Sequence, residues 1–169
     1  VGLAEKEVGK PVRAGEKKWF EKYRFFFSSE GFLVVSGKDA YSNEALVKRY
    51  TEAGDLVFHA EMVGAPFTVV KTEGKTPTQI TLQEAAQFTA CHSRAWRDGF
   101  ASADVYYVKP EQVSKSAPSG QYLARGAFTV SGQRNYIRNV PLSLAFGVKV
   151  DDGIQVLAGP VTAVEAATK

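Results

Sequence analysis

The chain has 169 residues, of which 44% are hydrophobic and 23% charged, with a net charge of +3 and a pI near 8.9. These values suit one globular domain with a real core and exclude a wholly disordered chain. The single cysteine, Cys91, excludes an intrachain disulfide and points to a reducing compartment such as the cytoplasm, and no apolar run approaches the roughly 18 residues that span a membrane.

Residues 1–18 are polar and lack periodicity, so they read as a flexible lead-in or the end of a linker. The chain lacks an initiator Met and reads as a piece excised from a longer one, with the packed domain covering residues 19–169. Tyr23 to Ser28 and Phe32 to Ser36 are aromatic and β-branched runs around Ser29-Glu30-Gly31, which predicts a hairpin. Asp39 or Ser42 caps a helix over about 38–50, with Glu44 in its first turn and Lys48 and Arg49 in its last. Helix capping is a sufficient reason for Asp39, Asn43 and Glu44.

Leu56 to Ala60 and Thr68 to Lys71 read as strands. Thr81-Leu82-Gln83-Glu84 has the form of a capping box, opening a largely buried helix over about 81–98. Trp19 and Trp96 read as core. Ala103 to Val108 is a strand, Val113 to Gly120 a loop, and Tyr122 to Val130 a strand. Gly132 to Arg138 is a connection, Leu142 to Lys149 and Ile154 to Leu157 a hairpin, and a short helix follows Pro160. The fold class is α+β, with a mixed, largely antiparallel sheet and two main helices.

Positive charge is clustered. Residues 10–24 carry Lys10, Arg13, Lys17, Lys18, Lys22 and Arg24 against Glu16 and Glu21, and residues 109–138 carry Lys109, Lys115, Arg125, Arg134 and Arg138 against Glu111. Clustered cations on a nearly neutral protein suit a polyanion. The Val113–Gly120 loop offers hydroxyls, Lys115, a stiff Pro118 and a permissive Gly120. Such a loop can present N–H groups and hydroxyls to phosphate. Gly132 to Arg138 interleaves two Arg with Asn135 and Tyr136, residue types that contact phosphate, read base edges and stack.

Catalytic signatures are weaker. Asp55, His59 and Glu61 alternate, so a regular strand would put them on one face, where a His and two carboxylates could hold a cation. A structural His beside a turn Asp accounts for the same residues. Cys91 reads as a small core residue, and no cofactor signature is present. Three readings stay open: an RNA-binding module, a metal-dependent or nucleotide-processing enzyme built on Asp55, His59 and Glu61, and a protein–protein docking module.

Lys18-Trp19-Phe20-Glu21-Lys22-Tyr23-Arg24, Phe27 to Val34, Lys38-Asp39-Ala40 and Asn43 to Tyr50 together resemble the NFACT-R domain. So do His59-Ala60 with Gly64-Ala65-Pro66, Val113-Ser114-Lys115 with Ala117 to Gly120, and Gly126-Ala127-Phe128. The likeness runs from about residue 18 to at least residue 140 in family order, and Asn135 to Leu142 looks archaeal. The resemblance implies an RNA-binding domain of a factor that recognises stalled large ribosomal subunits and tRNA. The partners so implied are tRNA, large-subunit rRNA and other domains of a parent protein. It marks Lys38, Lys48, Arg49 and His59, and raises Ser114 and Lys115 beside Arg134 and Arg138. Lys38 replaces a frequent Arg, Glu61 a common Asp, and Ser131 and Gln133 stand where basic residues are frequent. The Val113–Gly120 loop is therefore the favoured contact.

Overall fold

A computed structural model describes residues 15–169. Most of the lead-in, residues 1–14, lies outside the described residues, and 15–18 have no regular secondary structure. The elements follow in chain order. A 3-10 turn, Trp19–Lys22, precedes β1 (Arg24–Phe27), β2 (Leu33–Ser36), α1 (Ala40–Arg49), β3 (Leu56–Ala60) and β4 (Thr68–Lys71). Then come α2 (Gln79–Cys91), β5 (Ser102–Val108), β6 (Val113–Ser114), β7 (Thr129–Val130), β8 (Asn135–Pro141), β9 (Ala145–Val150), β10 (Ile154–Gly159) and α3 (Val161–Thr168).

One six-stranded sheet, in the order β1-β2-β4-β3-β5-β8, organises the fold, and every pairing between described strands is antiparallel. Its central strands are covered on both faces. Val34, Phe58, Val70 and Val105 pack under α2, while Val35, Val57, Val69 and Tyr106 pack under α1 and the 3-10 turn. Two covered faces explain near-continuous apolar runs in an antiparallel sheet, where alternation is the commoner pattern. At full burial, each such Val contributes roughly 1.5–3 kcal/mol relative to exposure.

Three expectations are corrected. Gly132 to Arg138 is not wholly a connection, because Asn135–Pro141 forms edge strand β8. Tyr122 to Val130 is not one strand, since only Thr129–Val130 pairs, with Val113–Ser114 of the expected loop. The second helix ends at Cys91, and residues 93–99 turn instead, leaving Trp96 55% exposed rather than in the core. Beyond the sheet, β9 and β10 form a separate ribbon whose Gly147 lies against α3. The other side of that ribbon leaves Phe146, Val148, Val150, Ile154 and Val156 exposed.

The expected capping box also resolves differently. Thr78, not Thr81, caps α2, and its Oγ1 accepts from Ile80 N at 3.3 Å. The N–H groups of Thr78 and Thr81 donate to Glu30 from the β1–β2 turn, each at 3.2 Å. Glu84 points back across the same seam, is 2% exposed, and accepts from Ser29 N at 2.8 Å, Ser29 Oγ, and Thr162 Oγ1 at 2.7 Å. It ties the β1–β2 turn to α2 and α3. Glu84→Ala leaves those donors without their acceptor, and buried unpaired groups cost about 1–3 kcal/mol each. We expect a loss of about 2–4 kcal/mol in urea unfolding, with the denaturant slope unchanged.

Candidate nucleic-acid interface

α1 starts where sequence reasoning places it. Asp39 is extended, its Oδ1 accepts from Ser42 N at 2.8 Å, and Ser42 Oγ accepts from Asp39 N at 3.0 Å. Asn43 and Glu44, expected to serve the cap, instead reach across the fold. Asn43 Oδ1 accepts from Phe67 N at 2.7 Å, and its Nδ2 donates to Gly126 O at 2.8 Å. Glu44 accepts from Lys48 Nζ at 2.7 Å, Gly126 N at 2.9 Å and Lys115 Nζ at 3.0 Å. These donors, Lys48 first, then Gly126 and Lys115, hold its carboxyl down at about 2.

Gly126 is required there. Its φ is +78°, and a Cβ would lie 2.8 Å from both Cα and O of Ala40. Gly37 meets the same helix, where a Cβ would sit 2.7 Å from Asn43 Oδ1. Two glycines thus let two backbone segments close on the first turns of α1.

Between these segments lies a cleft of about 500 Å³. Its walls are the start of α1, the turn Gly64-Ala65-Pro66-Phe67 and the segment Arg125 to Phe128. Four cations line it, Arg24, Lys38, Arg125 and Arg134. Asp39, engaged in capping, is the only carboxylate among the lining residues. Arg134 lies over the Tyr106 ring at 4.6 Å and reaches Glu61 only at 3.5 Å. Arg125 lies over Tyr41 at 4.3 Å. Among the described residues, Arg24, Lys38 and Arg125 have no carboxylate in ion-pair contact. Unneutralised cations around a concave surface are a polyanion site by electrostatics alone.

The characteristic sequence of the NFACT protein RNA binding domain matches residues 22–132. The chain belongs to the NFACT RNA-binding domain family. An archaeal Rqc2 homolog, aRqcH of Methanocaldococcus jannaschii, is 52% identical over 147 residues, 87% of this chain and 22% of that protein. Ribosome quality control complex subunit NEMF of Homo sapiens is 38% identical over 143 residues, 83% of this chain and 13% of that protein. The chain thus spans about a fifth or less of the length of these relatives. In fold, it is similar to the C-terminal part of the fibronectin/fibrinogen-binding protein from Streptococcus suis. The TM-score is 0.59 at 20% identity, over 82% of this chain and 51% of that one.

The NFACT domain brings only part of the expected residue set together. Lys38, His59 and Arg134 line the cleft. Lys48 and Arg49 are exposed at the far end of α1, with Lys48 paired to Glu44. Ser114 is exposed in β6, outside the cleft lining. Arg138 pairs with Asp104 at 2.9 Å and lies 3.9 Å over Tyr136. Lys115 turns inward. Its Nζ donates to Glu44, to Ala124 O at 2.9 Å and to Ala127 O at 2.8 Å, which uses all three donors. No residue of the favoured Val113–Gly120 loop lines the cleft. Sequence reasoning passed over Arg24 and Arg125 as cleft residues, although each lies in a stretch it marked as basic.

Asp55, His59 and Glu61 do not converge. Asp55 is buried, accepting from Glu52 N at 2.8 Å, Thr72 N at 3.1 Å and Lys71 Nζ. Four strand residues, roughly 13 Å, separate it from His59. Glu61 faces Arg134. No group of three His, Cys, Asp or Glu among the described residues could hold a metal ion. Cys91 is buried, and burial pushes its thiol up to about 11, as for a core residue. No helix among the described residues is long and apolar enough to cross a membrane.

His59 and His92 both line the cleft. His59 Nε2 lies 3.0 Å from Ala65 O, and His92 Nδ1 lies 2.8 Å from Phe88 O. Burial lowers both below the usual 6.5. The neighbouring carbonyls oppose the shift, while Arg134 beside His59 and Arg24 beside His92 add to it.

Gly126→Ala forces both strain and a backbone clash, at a cost of about 2 kcal/mol or more, readable as a lower urea midpoint. Because the native histidines favour the neutral form, the unfolded chain takes up protons first. Stability is therefore intact above about pH 6.5 and falls as pH drops below it through the lowered native values. Thermal melts from pH 7.5 to 5 should show this slope, and His59→Gln with His92→Gln should flatten it.

Proposed function

We propose that this NFACT domain is the RNA-contacting module of a ribosome-associated quality-control factor. It holds tRNA or large-subunit rRNA on stalled large ribosomal subunits in the cytoplasm, by binding rather than catalysis. The observation that carries the reading is the cleft. Four cations converge on it, and its one lining carboxylate is spent on a helix cap. The family supports binding to RNA, and the names of the relatives support the ribosomal setting. The rest of the parent protein supplies further partners as additional domains.

Phosphate contacts position RNA on such a surface, and the aromatic side chains beside the arginines give bases a place to stack. Lys115 supports this site from behind by holding the Ala124 and Ala127 carbonyls. Lys48, Arg49, Ser114 and Arg138, outside the cleft lining, serve as weaker peripheral backbone contacts. Protein docking is the second reading, favoured by the bare apolar face of the β9–β10 ribbon, which contributes no residue to the cleft.

The test is RNA affinity against salt. Four phosphate contacts should give a fall of about 3 log units per tenfold increase in salt. Arg125→Ala with Arg134→Ala should weaken binding at least tenfold at low salt and flatten the slope by about 1.5. Lys48→Ala with Arg49→Ala should change both far less. A flat salt response of the unaltered chain, or no effect of the arginine pair, would defeat this reading.

A further inference from the structure

We infer that the cleft receives a single unpaired nucleotide, extruded from its RNA strand, and that it accepts all four bases with little preference. This rests on the RNA-binding reading and specifies what the cleft holds.

Size comes first. A cleft of about 500 Å³ lies within the range of sites that enclose a small organic ligand, the size class of one nucleotide. It is a half-open recess walled by the start of α1, the 64–67 turn and the 125–128 segment, whereas a duplex backbone is followed by cations along an open face.

The lining is also divided as a nucleotide is divided. Arg24, Lys38, Arg125 and Arg134 supply positive charge for phosphate. Part-exposed Phe128 and His59 supply flat surface for a base, with Phe67 and Tyr106 buried beneath them. These rings are already packed on one another, with His59 and Phe67 centroids 4.6 Å apart and Phe67 and Phe128 5.5 Å apart. Neutral His59 behaves as another flat ring, because desolvation disfavours its charged form. The guanidinium groups of Arg125 and Arg134 are held over Tyr41 and Tyr106 before any ligand arrives. Groups already in place lose less freedom on binding.

Weak base preference follows from which polar groups are already engaged. Reading a base edge needs acceptors and donors aimed at it. Three carbonyls of the lining already have partners. Ala65 O is held by His59, Gly126 O by Asn43, and Ala127 O by Lys115. Stacking accepts any base, because each presents a π-face.

The test uses the full 169-residue chain and three RNA hairpins of equal stem length. One has an uninterrupted stem, one a single bulged nucleotide, and one the same bulge with an abasic ribose that keeps the phosphate. The bulged hairpin should bind about tenfold tighter than the uninterrupted one. The abasic bulge should lose at least fivefold of that gain, since the base that stacks is gone. Bulged A, C, G and U should agree within about threefold. Arg134→Gln should narrow the gap between bulged and uninterrupted stems. Equal binding of all three hairpins with a steep salt response would overturn this inference and leave the RNA-binding reading intact. Strong preference for one base would overturn the claim of indifference. Failure to bind any hairpin would overturn both readings.

Discussion

The segment Lys115 to Phe128 has little regular structure, and a backbone of that kind holds its place only if its polar groups find partners. Here they find them on one helix. Asn43 takes the Gly126 carbonyl, Glu44 takes the Gly126 N–H and the Lys115 ammonium, and that ammonium takes two further carbonyls of the segment. Without a glycine at 126, the approach to Ala40 is closed, and the cleft loses a wall. The cap at Asp39 sets where the helix begins, and so where Asn43 and Glu44 point. The recess is thus a consequence of one small knot of hydrogen bonds.

Ion pairs, that of Lys115 in the knot among them, also sort the positive charges. Lys71, Lys115 and Arg138 are each bound to a carboxylate, and Lys115 and Lys71 are tied to carbonyls as well. A cation so held contributes little field beyond its partner. Arg24, Lys38 and Arg125 face the cleft without a carboxylate partner among the described residues, and Arg24 donates to Gly37 O at 3.1 Å. Net charge cannot reveal this division, because both kinds of cation count equally in it. What matters to a polyanion is the cations left unneutralised, and three of them, Arg24, Lys38 and Arg125, gather at the cleft.

Much of this was legible in the sequence, and the failures have physical causes. The first five strands in chain order announce themselves because Val, Phe and Tyr fill the covered faces. β8 is an edge strand, where only Ile137 and Val140 point to cover and the rest is exposed, so its pattern does not announce a strand. Its register also breaks at a bulge between Ala103 and Val105. Thr81 and Glu84 have capping-box spacing, yet both serve the β1–β2 turn, a partner some fifty residues away that no local pattern contains. Lys115 looked like a phosphate ligand for the same reason. Its residue type is right, and only the fold shows that its donors are spent.

His59 and His92 add the last constraint. Burial keeps both rings neutral near pH 7, so the charge of the cleft comes from arginine and lysine alone. Those groups do not change their protonation across the physiological range. Attraction to RNA is then set by ionic strength, and the histidines take the role of uncharged rings and hydrogen-bond donors. Their cost appears elsewhere, in a fold that weakens on acidification. The same burial that keeps them neutral sets two uncharged rings among the cations of the cleft, which joins its electrostatics to the packing beneath it.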